Sequence, residues 1–411
     1  MNKVLFTVTC LMVLTSCYKE VEVADGDKEL FELSVSPSTQ ELLFHSTDTS
    51  YSIMDEELEL RYKGRHLFVR RMGIRGETAL DFRRKSYSVG LEYPFAVKER
   101  EGGGDKVLES FKLISLAMDY TYINNRLAFG MLQKAGIMPL FYRFTELCLN
   151  GETQGVYFLV EDPEEYTQDL GSEYILRRDY NHNINSFEHK PGNHDVDAET
   201  YREYYKEIYR SLPLLEGQAL YEHLTQRLDL DQYFRKMGVD YLLQNGDYTD
   251  EVFLYATMDQ DDIIFRIIPW DYDDIFSANP HEVGRSWGTG TLFGSRSYSN
   301  RAEVLDEIGD KLIFSIEDDL DYAIAMDPFV YEKYESSLRE LFAELDETFI
   351  TSLFSDLEKE LTPYYEDPDL ILQSQYDQRP TDLQSWHDNM DEKESFVLER
   401  LTQIKRKLQL L

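Results

Sequence analysis

Cysteine and long apolar runs are scarce in this chain of 411 residues, and each scarcity excludes a class of protein. The cysteines are Cys10, Cys17 and Cys148, and two of them lie close to the N-terminus. Because only Cys148 belongs to the part predicted to fold, no disulfide framework can stabilise it, and stability must come from packing. Beyond the N-terminal apolar run, no segment is long and apolar enough to cross a bilayer as a helix.

Basic residues are also scarce relative to acidic ones, with 42 Lys and Arg against 78 Asp and Glu and a formal net charge of −36. A surface of this charge repels phosphate backbones, so we predict no nucleic-acid partner. The sequence contains no readable Ser-His-Asp arrangement. Its 42% hydrophobic content is enough for a large core, and its length suits two domains or one domain divided into lobes.

The first residues have the layout of a signal peptide. A short positive start precedes the apolar run Val4–Leu14, which is too short to span a bilayer. Leu14-Thr15-Ser16-Cys17 resembles a bacterial lipobox, which implies cleavage before the cysteine. We therefore predict a signal peptide over residues 1–16, a lipid on Cys17 and a polar tether over residues 17–29. The protein would be anchored to a membrane of the bacterial cell envelope, outside the cytoplasm. An ordinary secretory signal with an incidental cysteine is the alternative.

Residues 30–162 have the pattern of a strand-rich region. Phe68–Arg75 and Lys85–Leu91 each predict a strand, and in the second of them apolar residues alternate on one face. Lys85 shares that apolar face. Because an unpaired buried charge is costly, we expect Lys85 to have a partner.

A helix and a hairpin follow in the same region. The helix is predicted to begin near Asp119–Thr121, and Phe144–Leu149 and Gly155–Val160 are predicted to form a hairpin around Asn150-Gly151. The second strand of the hairpin is apolar throughout, which predicts burial on both of its faces. It leads directly into Glu161.

The rest of the chain has a mainly helical pattern. Asp229 or Asp231 can cap a helix that ends at Gly246. Further amphipathic helices are predicted over Phe342–Leu361 and Glu392–Leu411.

A second hairpin interrupts the helical region. Val252–Tyr255 and Ile263–Ile268 have the apolar, β-branched composition of paired strands. The whole pattern predicts an α+β fold. We place the boundary between a strand-rich N-lobe, residues 30–162, and a mainly helical C-lobe, residues 163–411, near residues 161–166.

Asp247 and the acidic run after Trp270 form the candidate site. Asp247 leaves the end of a predicted helix, and the hairpin that follows delivers Asp271 and Asp273 at the end of its return strand. Because a hairpin brings the chain back near its origin, these carboxylates can converge although 24 residues separate Asp247 from Asp271 (271 − 247). Converging carboxylates resist joint ionisation unless a cation lies among them, and carboxylate oxygens suit Mg²⁺ or Mn²⁺.

The order of helix, acidic residue, hairpin and acidic residue is also that of a protein-kinase C-lobe. The sequence resembles the CotH (spore coat protein H) family of atypical kinases from about residue 61 to residue 276. Four motifs carry the resemblance in order: Ile74-Arg75-Gly76-Glu77 with Arg84-Lys85-Ser86-Tyr87, Asn150-Gly151 through Gly155-Val156-Tyr157 to Glu161, Asn245-Gly246-Asp247 with Val252-Phe253-Leu254-Tyr255, and Ile268-Pro269-Trp270-Asp271-Tyr272-Asp273.

This resemblance implies a two-lobed kinase-like fold that uses ATP with Mg²⁺ or Mn²⁺. Lys85 would contact the nucleotide phosphates, and Glu161 would lie near the nucleotide at the lobe junction. Asp247 would orient or deprotonate the acceptor hydroxyl, while Asp271 would bind the metal with Asp273 in support. The implied activity is phosphoryl transfer to a hydroxyl of an extracytoplasmic protein. The plainer alternatives are a structural ion pair for Lys85, a solvent-exposed strand end for Glu161 and a turn cap for Asp247.

The sequence departs from the family pattern after Asp247. The family often has an asparagine there as a second metal ligand, and Glu251 takes its place in this chain. A glutamate can bind a metal, but it adds negative charge to a site that must hold a polyphosphate. The departure favours the alternative function, a catalytically weak or inactive surface protein that binds a protein or a glycan.

Two other patterns suggest chemistry less specifically. His182, His189 and His194 lie in a polar segment, where their irregular spacing favours a solvated loop over a metal site. Asp247 and Asp271 could also form an acid–base pair for glycoside hydrolysis, although no strand pattern supports that function.

Overall fold

The protein has an α+β fold, as predicted, in a computed structural model. The structure describes residues 29–48, 51–76, 78–98, 104–137, 139–172, 174–178, 187–190, 198–248, 252–259, 262–280, 293, 298, 300–367, 370 and 382–411. The predicted signal peptide, Cys17, Glu251, His182 and His194 lie outside these residues, as does the side chain of His189. Within the described residues, no helix is long and apolar enough to cross a membrane.

Twelve strands are described. They are β1 (Leu30–Ser34), β2 (Glu59–Tyr62), β3 (Arg65–Leu67), β4 (Val69–Arg75), β5 (Ser86–Lys98), β6 (Asp105–Ile114), β7 (Tyr142–Leu149), β8 (Glu152–Glu161), β9 (Tyr174–Arg178), β10 (Phe187–Lys190), β11 (Phe253–Asp259) and β12 (Asp262–Ile268). The described helices are α1 (Pro37–His45), α2 (Asn124–Lys134), α3 (Pro163–Asp169), α4 (Ala198–Ser211), α5 (Gly217–Thr225), α6 (Leu230–Leu243), α7 (Arg301–Ile308), α8 (Asp319–Met326), α9 (Pro328–Glu344), α10 (Glu347–Tyr365) and α11 (Leu383–Lys407).

The strands form two sheets. Eight strands make a mixed sheet in the order β3-β2-β1-β7-β8-β6-β5-β4, in which β1 and β7 are parallel. The other four make an antiparallel sheet in the order β10-β9-β11-β12. The predicted hairpin of β7 and β8 is confirmed, and both of its turn residues are left-handed, Asn150 at φ 51° and Gly151 at φ 83°. This geometry is the one that an Asn-Gly pair favours.

Strand β8 lies between two hydrophobic cores. Tyr157 and Leu159 belong to the core that packs on one face of the large sheet, whereas Val156, Phe158 and Val160 belong to the larger core, which also contains the helices. The prediction that this strand is buried on both faces is therefore confirmed. Alternating side chains along one strand thus join the two cores.

Several helix boundaries differ from the predicted ones. Helix α6 is capped by Asp229, which accepts a hydrogen bond from the Gln232 amide, as predicted, but it ends at Leu243 because Gln244 adopts a left-handed conformation at φ 53°. The helix predicted over Phe342–Leu361 is wrong as a single element. It is divided into α9 and α10, and Asp346 caps the second of these.

A buried polar network ties the small sheet to the helices. The Arg178 guanidinium at the end of β9 donates to the Tyr233 hydroxyl at 2.7 Å and to the Tyr248 carbonyl at 3.1 Å. It also lies 3.5 Å from Asp318 and 3.3 Å from Asp321, and both aspartates are at most 1% exposed. Burial raises the pKa of Asp321 to about 7, although the Arg178 charge opposes that shift. The network holds β9, α6 and α8 together behind the candidate site.

Candidate functional site

The end of helix α6 leads into a tight turn that presents Asp247. Gln244 reverses the chain in its left-handed conformation, and the Asn245 amide donates to the Asp240 carbonyl at 3.1 Å. The Asn245 side chain then accepts a hydrogen bond from the Asp247 amide at 3.2 Å. Because the turn makes these local hydrogen bonds, the backbone of Asp247 is held in one position relative to the helix.

The chain leaves this turn and returns to it, as predicted. Strands β11 and β12 pair in antiparallel register from Phe253 opposite Ile268 to the hairpin end, which confirms the predicted hairpin. After the return strand, the Phe276 amide donates to the Leu243 carbonyl at 2.8 Å, and the Gly246 amide donates to the Asp274 carbonyl at 2.8 Å. The segment with the acidic residues is therefore hydrogen-bonded directly to the segment that carries Asp247.

The carboxylates of the two segments lie close enough to influence one another. Burial, followed by the negative charges of Asp271, Asp247, Asp274 and Asp119, raises the pKa of Asp273 well above its usual value. Asp271 itself has a left-handed backbone at φ 48°. The structure thus gathers the predicted Asp247, Asp271 and Asp273 at one place and adds two aspartates that the sequence did not indicate.

The start of helix α2 supports the acidic segment. The Asn124 side chain donates to the Asp273 carbonyl at 2.7 Å, and the Asn125 side chain accepts from the Tyr272 amide at 2.9 Å. Asp119 is 1% exposed and accepts hydrogen bonds from the Thr121 and Asn124 amides at 3.1 and 2.6 Å. These bonds explain why α2 begins at Asn124 and not at the predicted Asp119–Thr121, because Asp119 binds the amides ahead of the first turn.

The last helix brings a cation to this group. Lys393 of α11 donates to the Thr121 hydroxyl at 2.9 Å and to the Asn124 side-chain oxygen at 3.0 Å. Its ammonium lies 4.6 Å from the centre of the Phe276 ring. The Trp386 indole, on the same helix, donates to the Thr121 carbonyl at 3.2 Å. A helix near the C-terminus is therefore part of the candidate site, and no local pattern in the sequence links Lys393 to Asp273.

Lys85 lies beside the large sheet, just before β5. It is 3% exposed, and its ammonium donates to the Leu80 carbonyl at 2.5 Å. Burial lowers the pKa of Lys85, and the nearby Asp81 charge opposes the shift. Among the described residues Lys85 forms no ion pair, so the structural ion pair considered for it is absent from this part of the chain. A buried ammonium with a single carbonyl acceptor retains capacity to bind an anion.

Arg75 connects the strand region of Lys85 to the acidic segment. Arg75 is opposite Ser86 in the β4–β5 register, and its guanidinium lies 5.1 Å from the centre of the Trp270 ring. Trp270 directly precedes Asp271. A cation stacked on an aromatic ring is held in place by the ring's negative face, so Arg75 stands next to the acidic segment with a defined position. The sequence motif contained Arg75 but gave no reason to place it there.

Glu161 is buried at the end of β8 and is 1% exposed, so a strand end in solvent is the wrong alternative for it. Its carboxylate lies 2.5 Å from the Lys106 ammonium and accepts from the Phe141 amide at 2.9 Å. Burial raises the pKa of Glu161, and Lys106 opposes that shift. These contacts join the end of β8 to β6 and to the residue before β7.

The donor chemistry of the site suits a hard divalent cation. Carboxylate oxygens are the preferred ligands of Mg²⁺ and Mn²⁺, and a cation would relieve the repulsion that, after burial, contributes to the raised pKa of Asp273. Within the described residues, however, no group of three or more His, Cys, Asp and Glu side chains is arranged to hold a metal ion. The predicted ligand Glu251 lies outside these residues. To bind the ion, the side chains of Asp247, Asp271 and Asp273 would therefore have to move closer together around it.

Gly246 allows the two segments to meet, and replacing it tests their contact. A β-carbon at Gly246 would lie 1.5 Å from a carboxylate oxygen of Asp274 and 3.0 Å from the Ser277 hydroxyl. We expect Gly246→Ala to destabilise the protein by about 1–3 kcal/mol, because the alanine must displace Asp274. Urea denaturation measures the loss. Gly104→Ala is the matched control, since no atom lies within 4 Å of its added β-carbon. Equal stability of the two variants would contradict the close contact.

Fold and site together define an α+β protein whose helix-end aspartate and acidic segment form one candidate site. A family model described as CotH kinase protein matches residues 72–404. The chain belongs to the CotH family, which confirms the resemblance found in the sequence.

A curated relative is the inner spore coat protein H of Bacillus subtilis (strain 168). It is 22% identical over 233 residues, which cover 51% of this chain and 59% of that protein. The chain thus matches less than two thirds of the relative's length. The relative's name places that protein in the inner spore coat.

Proposed function

We propose that this protein is an atypical kinase that transfers a phosphoryl group from ATP, with Mg²⁺ or Mn²⁺, to a hydroxyl of a protein substrate. The proposal includes a kinase-like arrangement of two lobes. The N-lobe, residues 30–162, would contain the large sheet, and the C-lobe, residues 163–411, would contain the small sheet and most helices. Two observations support this division: the large sheet ends at Glu161, and the small sheet lies wholly after it.

One observation carries the proposed chemistry. The turn with Asp247 and the segment with Asp271 and Asp273 are hydrogen-bonded to each other, and burial, followed by the charges of Asp271 and Asp247, raises the pKa of Asp273. Phosphoryl transfer requires a carboxylate near the acceptor hydroxyl and another that holds the metal bridging the phosphates. Asp247, at the end of α6, and Asp271, in the loop after β12, could supply these two carboxylates.

Each predicted residue has a role in this proposal. Asp247 would orient the acceptor hydroxyl or accept its proton, whereas Asp271 and Asp273, with Glu251, would hold the metal. Bound metal would neutralise charge on the phosphates as the phosphoryl group moves. Lys85 would bind a phosphate oxygen, because its buried ammonium lacks an anionic partner among the described residues.

Glu161 takes a supporting role in the proposal. Its carboxylate binds Lys106 and the Phe141 amide where the large sheet ends, so it would position Lys106 at the lobe junction near the nucleotide. Arg75, stacked on Trp270, is a further cation that could approach the phosphates from the same sheet.

The proposed site of action is the cell envelope. A signal peptide over residues 1–16 and a lipid on Cys17 would anchor the protein outside the cytoplasm, where its acceptor would be an extracytoplasmic protein. The name of the curated relative, a spore coat protein, is compatible with a surface location. The net charge of −36 supports the expectation that nucleic acid is not a partner.

Transfer of label from γ-labelled ATP tests the proposed activity. Wild-type protein is incubated with Mn²⁺ or Mg²⁺ and a generic acceptor protein, and both autophosphorylation and acceptor labelling are measured. We expect metal-dependent labelling that falls at least about a hundredfold in Asp247→Asn, because that variant keeps the side-chain shape but loses the base and its charge. Asp310→Asn is the control, since Asp310 is fully exposed and should label as wild type. Absence of labelling by the wild type, with no thermal shift from ATP plus metal, would contradict the proposal.

A surface binding protein without turnover is the second candidate function. Its supporting observation is that the described carboxylates are not arranged as a metal site, and Glu251 replaces the expected asparagine. In this case the wild type would bind a protein or a glycan, and Asp247→Asn would bind it equally well.

A further inference from the structure

Helix α6 contains a buried ion pair directly behind the candidate site. The Lys236 ammonium and the Asp240 carboxylate lie 2.5 Å apart, one helical turn from each other. Asp240 is 0% exposed and Lys236 is 5% exposed. The Lys236 ammonium also lies 5.4 Å from the centre of the ring of Tyr248, the residue that follows Asp247 in the chain. Neither residue belongs to the acidic group assigned to metal binding.

The second oxygen of Asp240 reaches the turn that presents Asp247. It accepts a hydrogen bond from the Asn245 side chain at 3.3 Å. The other side-chain atom of Asn245, its oxygen, accepts from the Asp247 amide at 3.2 Å. Asn245 is 2% exposed, so water cannot easily replace either contact. A continuous path of hydrogen bonds therefore runs from Lys236 through Asp240 and Asn245 to Asp247.

The turn that Asp240 contacts is itself hydrogen-bonded to the acidic segment. The Gly246 amide, next to Asn245, donates to the Asp274 carbonyl at 2.8 Å, and the Phe276 amide donates to the Leu243 carbonyl at the end of α6 at 2.8 Å. One buried carboxylate thus contacts the turn, and the turn contacts the acidic segment.

Stability alone does not explain this pair. Replacing a buried ion pair by well-packed apolar residues is often neutral or stabilising, because two charges lose their hydration when they are buried. A function in positioning would explain why a buried carboxylate is kept at Asp240, with one oxygen facing the Asn245 side chain.

We propose that Asp240 is a positioning residue that fixes the Asn245–Asp247 turn, and through it the acidic segment, by accepting a hydrogen bond from the Asn245 side chain. This hydrogen bond would keep Asp247 and Asp271 directed at the same volume, so that the acceptor hydroxyl and the metal-bound phosphates meet. This inference rests on the proposed function, since it assigns a role in the same site. The spacing of the Asp247 and Asp271 carboxylates is then set by a residue inside α6.

Two uncharged double variants separate positioning from stability. Lys236→Met with Asp240→Asn removes both charges but retains an oxygen that can accept from Asn245. Lys236→Met with Asp240→Leu removes the charges and that acceptor. We expect the asparagine variant to unfold in urea near the wild-type midpoint, and the leucine variant to unfold cooperatively at a lower urea concentration, because the buried Asn245 amide loses its acceptor. Turnover with Mn²⁺ and ATP should stay within about threefold of wild type in the asparagine variant, and it should fall at least about tenfold in the leucine variant, with the loss in kcat and not in KM.

Hydrogen exchange supplies a readout that does not need activity. In the leucine variant the amides of residues 244–248 and 271–277 should exchange at least about tenfold faster, while the amides of α6 remain protected, and the asparagine variant should match wild type. Unchanged exchange in the leucine variant, or an equal loss of turnover in both variants, would overturn the inference. If the wild type transfers no phosphoryl group, the proposed function fails, yet the exchange result still decides whether Asp240 positions the two segments.

Discussion

Asp271→Asn is expected to abolish the response to metal while leaving the metal-free fold at least as stable as wild type. Asparagine tolerates the left-handed backbone at this position, φ 48°, so the change introduces no new strain. Burial raises the pKa of Asp273 and the neighbouring carboxylates raise it further, so removing one charge relieves part of the repulsion. We expect Mn²⁺-dependent transfer to fall at least about a hundredfold, because metal-ion catalysis contributes several kcal/mol. The increase in melting temperature with Mn²⁺ should disappear as well.

The matched control for Asp271→Asn lies on the same hairpin. Asp262 begins β12, and its exposed carboxylate pairs with Arg227 at 3.0 Å, far along the strand from the acidic segment. Asp262→Asn should keep the transfer rate within about twofold of wild type, because an exposed ion pair contributes at most about 1 kcal/mol. If Asp271→Asn retains its thermal response to Mn²⁺, Asp271 is not a metal ligand.

Arg178→Met is expected to cause the largest loss of stability, about 3–5 kcal/mol at pH 8, because it leaves Asp318 and Asp321 buried without their countercharge. The loss should shrink as the pH falls. The pKa of Asp321 is already raised to about 7 in the folded protein, above its ordinary value of 3.8, so the folded state gains stability as this group binds a proton below pH 7. Without Arg178 its pKa rises further, and protonation removes the unpaired charge. Urea denaturation at pH 8 and pH 5.5 measures both effects.

Arg177→Met is the control for Arg178→Met, since it changes the neighbouring residue on the same strand. Arg177 is only partly buried and lies 5.7 Å from the centre of the Phe253 ring. The substitution should lower stability by less than about 1 kcal/mol at both pH values. Equal losses in the two variants, or a loss in Arg178→Met that does not depend on pH, would show that the buried aspartates do not need Arg178.

Local chemistry in the sequence was enough to predict the hairpins and the helix cap. Asn150-Gly151 favours the left-handed turn that the structure contains, and Asp229 caps α6 because its carboxylate reaches a free amide of the first turn. The hairpin of β11 and β12 could be predicted because its two apolar, β-branched strands are close together in the chain. The return of Asp271 toward Asp247 follows from that hairpin. These features depend on residues that are near one another in the chain.

Contacts between distant segments could not be predicted in this way. Lys393 reaches Asn124 across 269 residues, and Asn124 holds the Asp273 carbonyl across 149. The pairing of Arg75 with Trp270 likewise depends on how the large sheet packs on the second hairpin. Helix α1 was missed because its apolar pattern is weak, although Ser36 and Pro37 supply a cap and a first-turn proline.

Anomalous diffraction from crystals soaked with Mn²⁺ and a non-hydrolysable ATP analogue tests the central claim most directly. The claim is that Asp247, Asp271 and Asp273 form a metal–nucleotide site. It predicts a manganese peak at about 2.2 Å from an Asp271 oxygen, with the analogue's phosphates between that ion and Lys85. Bound analogue with no manganese peak at Asp271, or a peak only at other carboxylates, would contradict it.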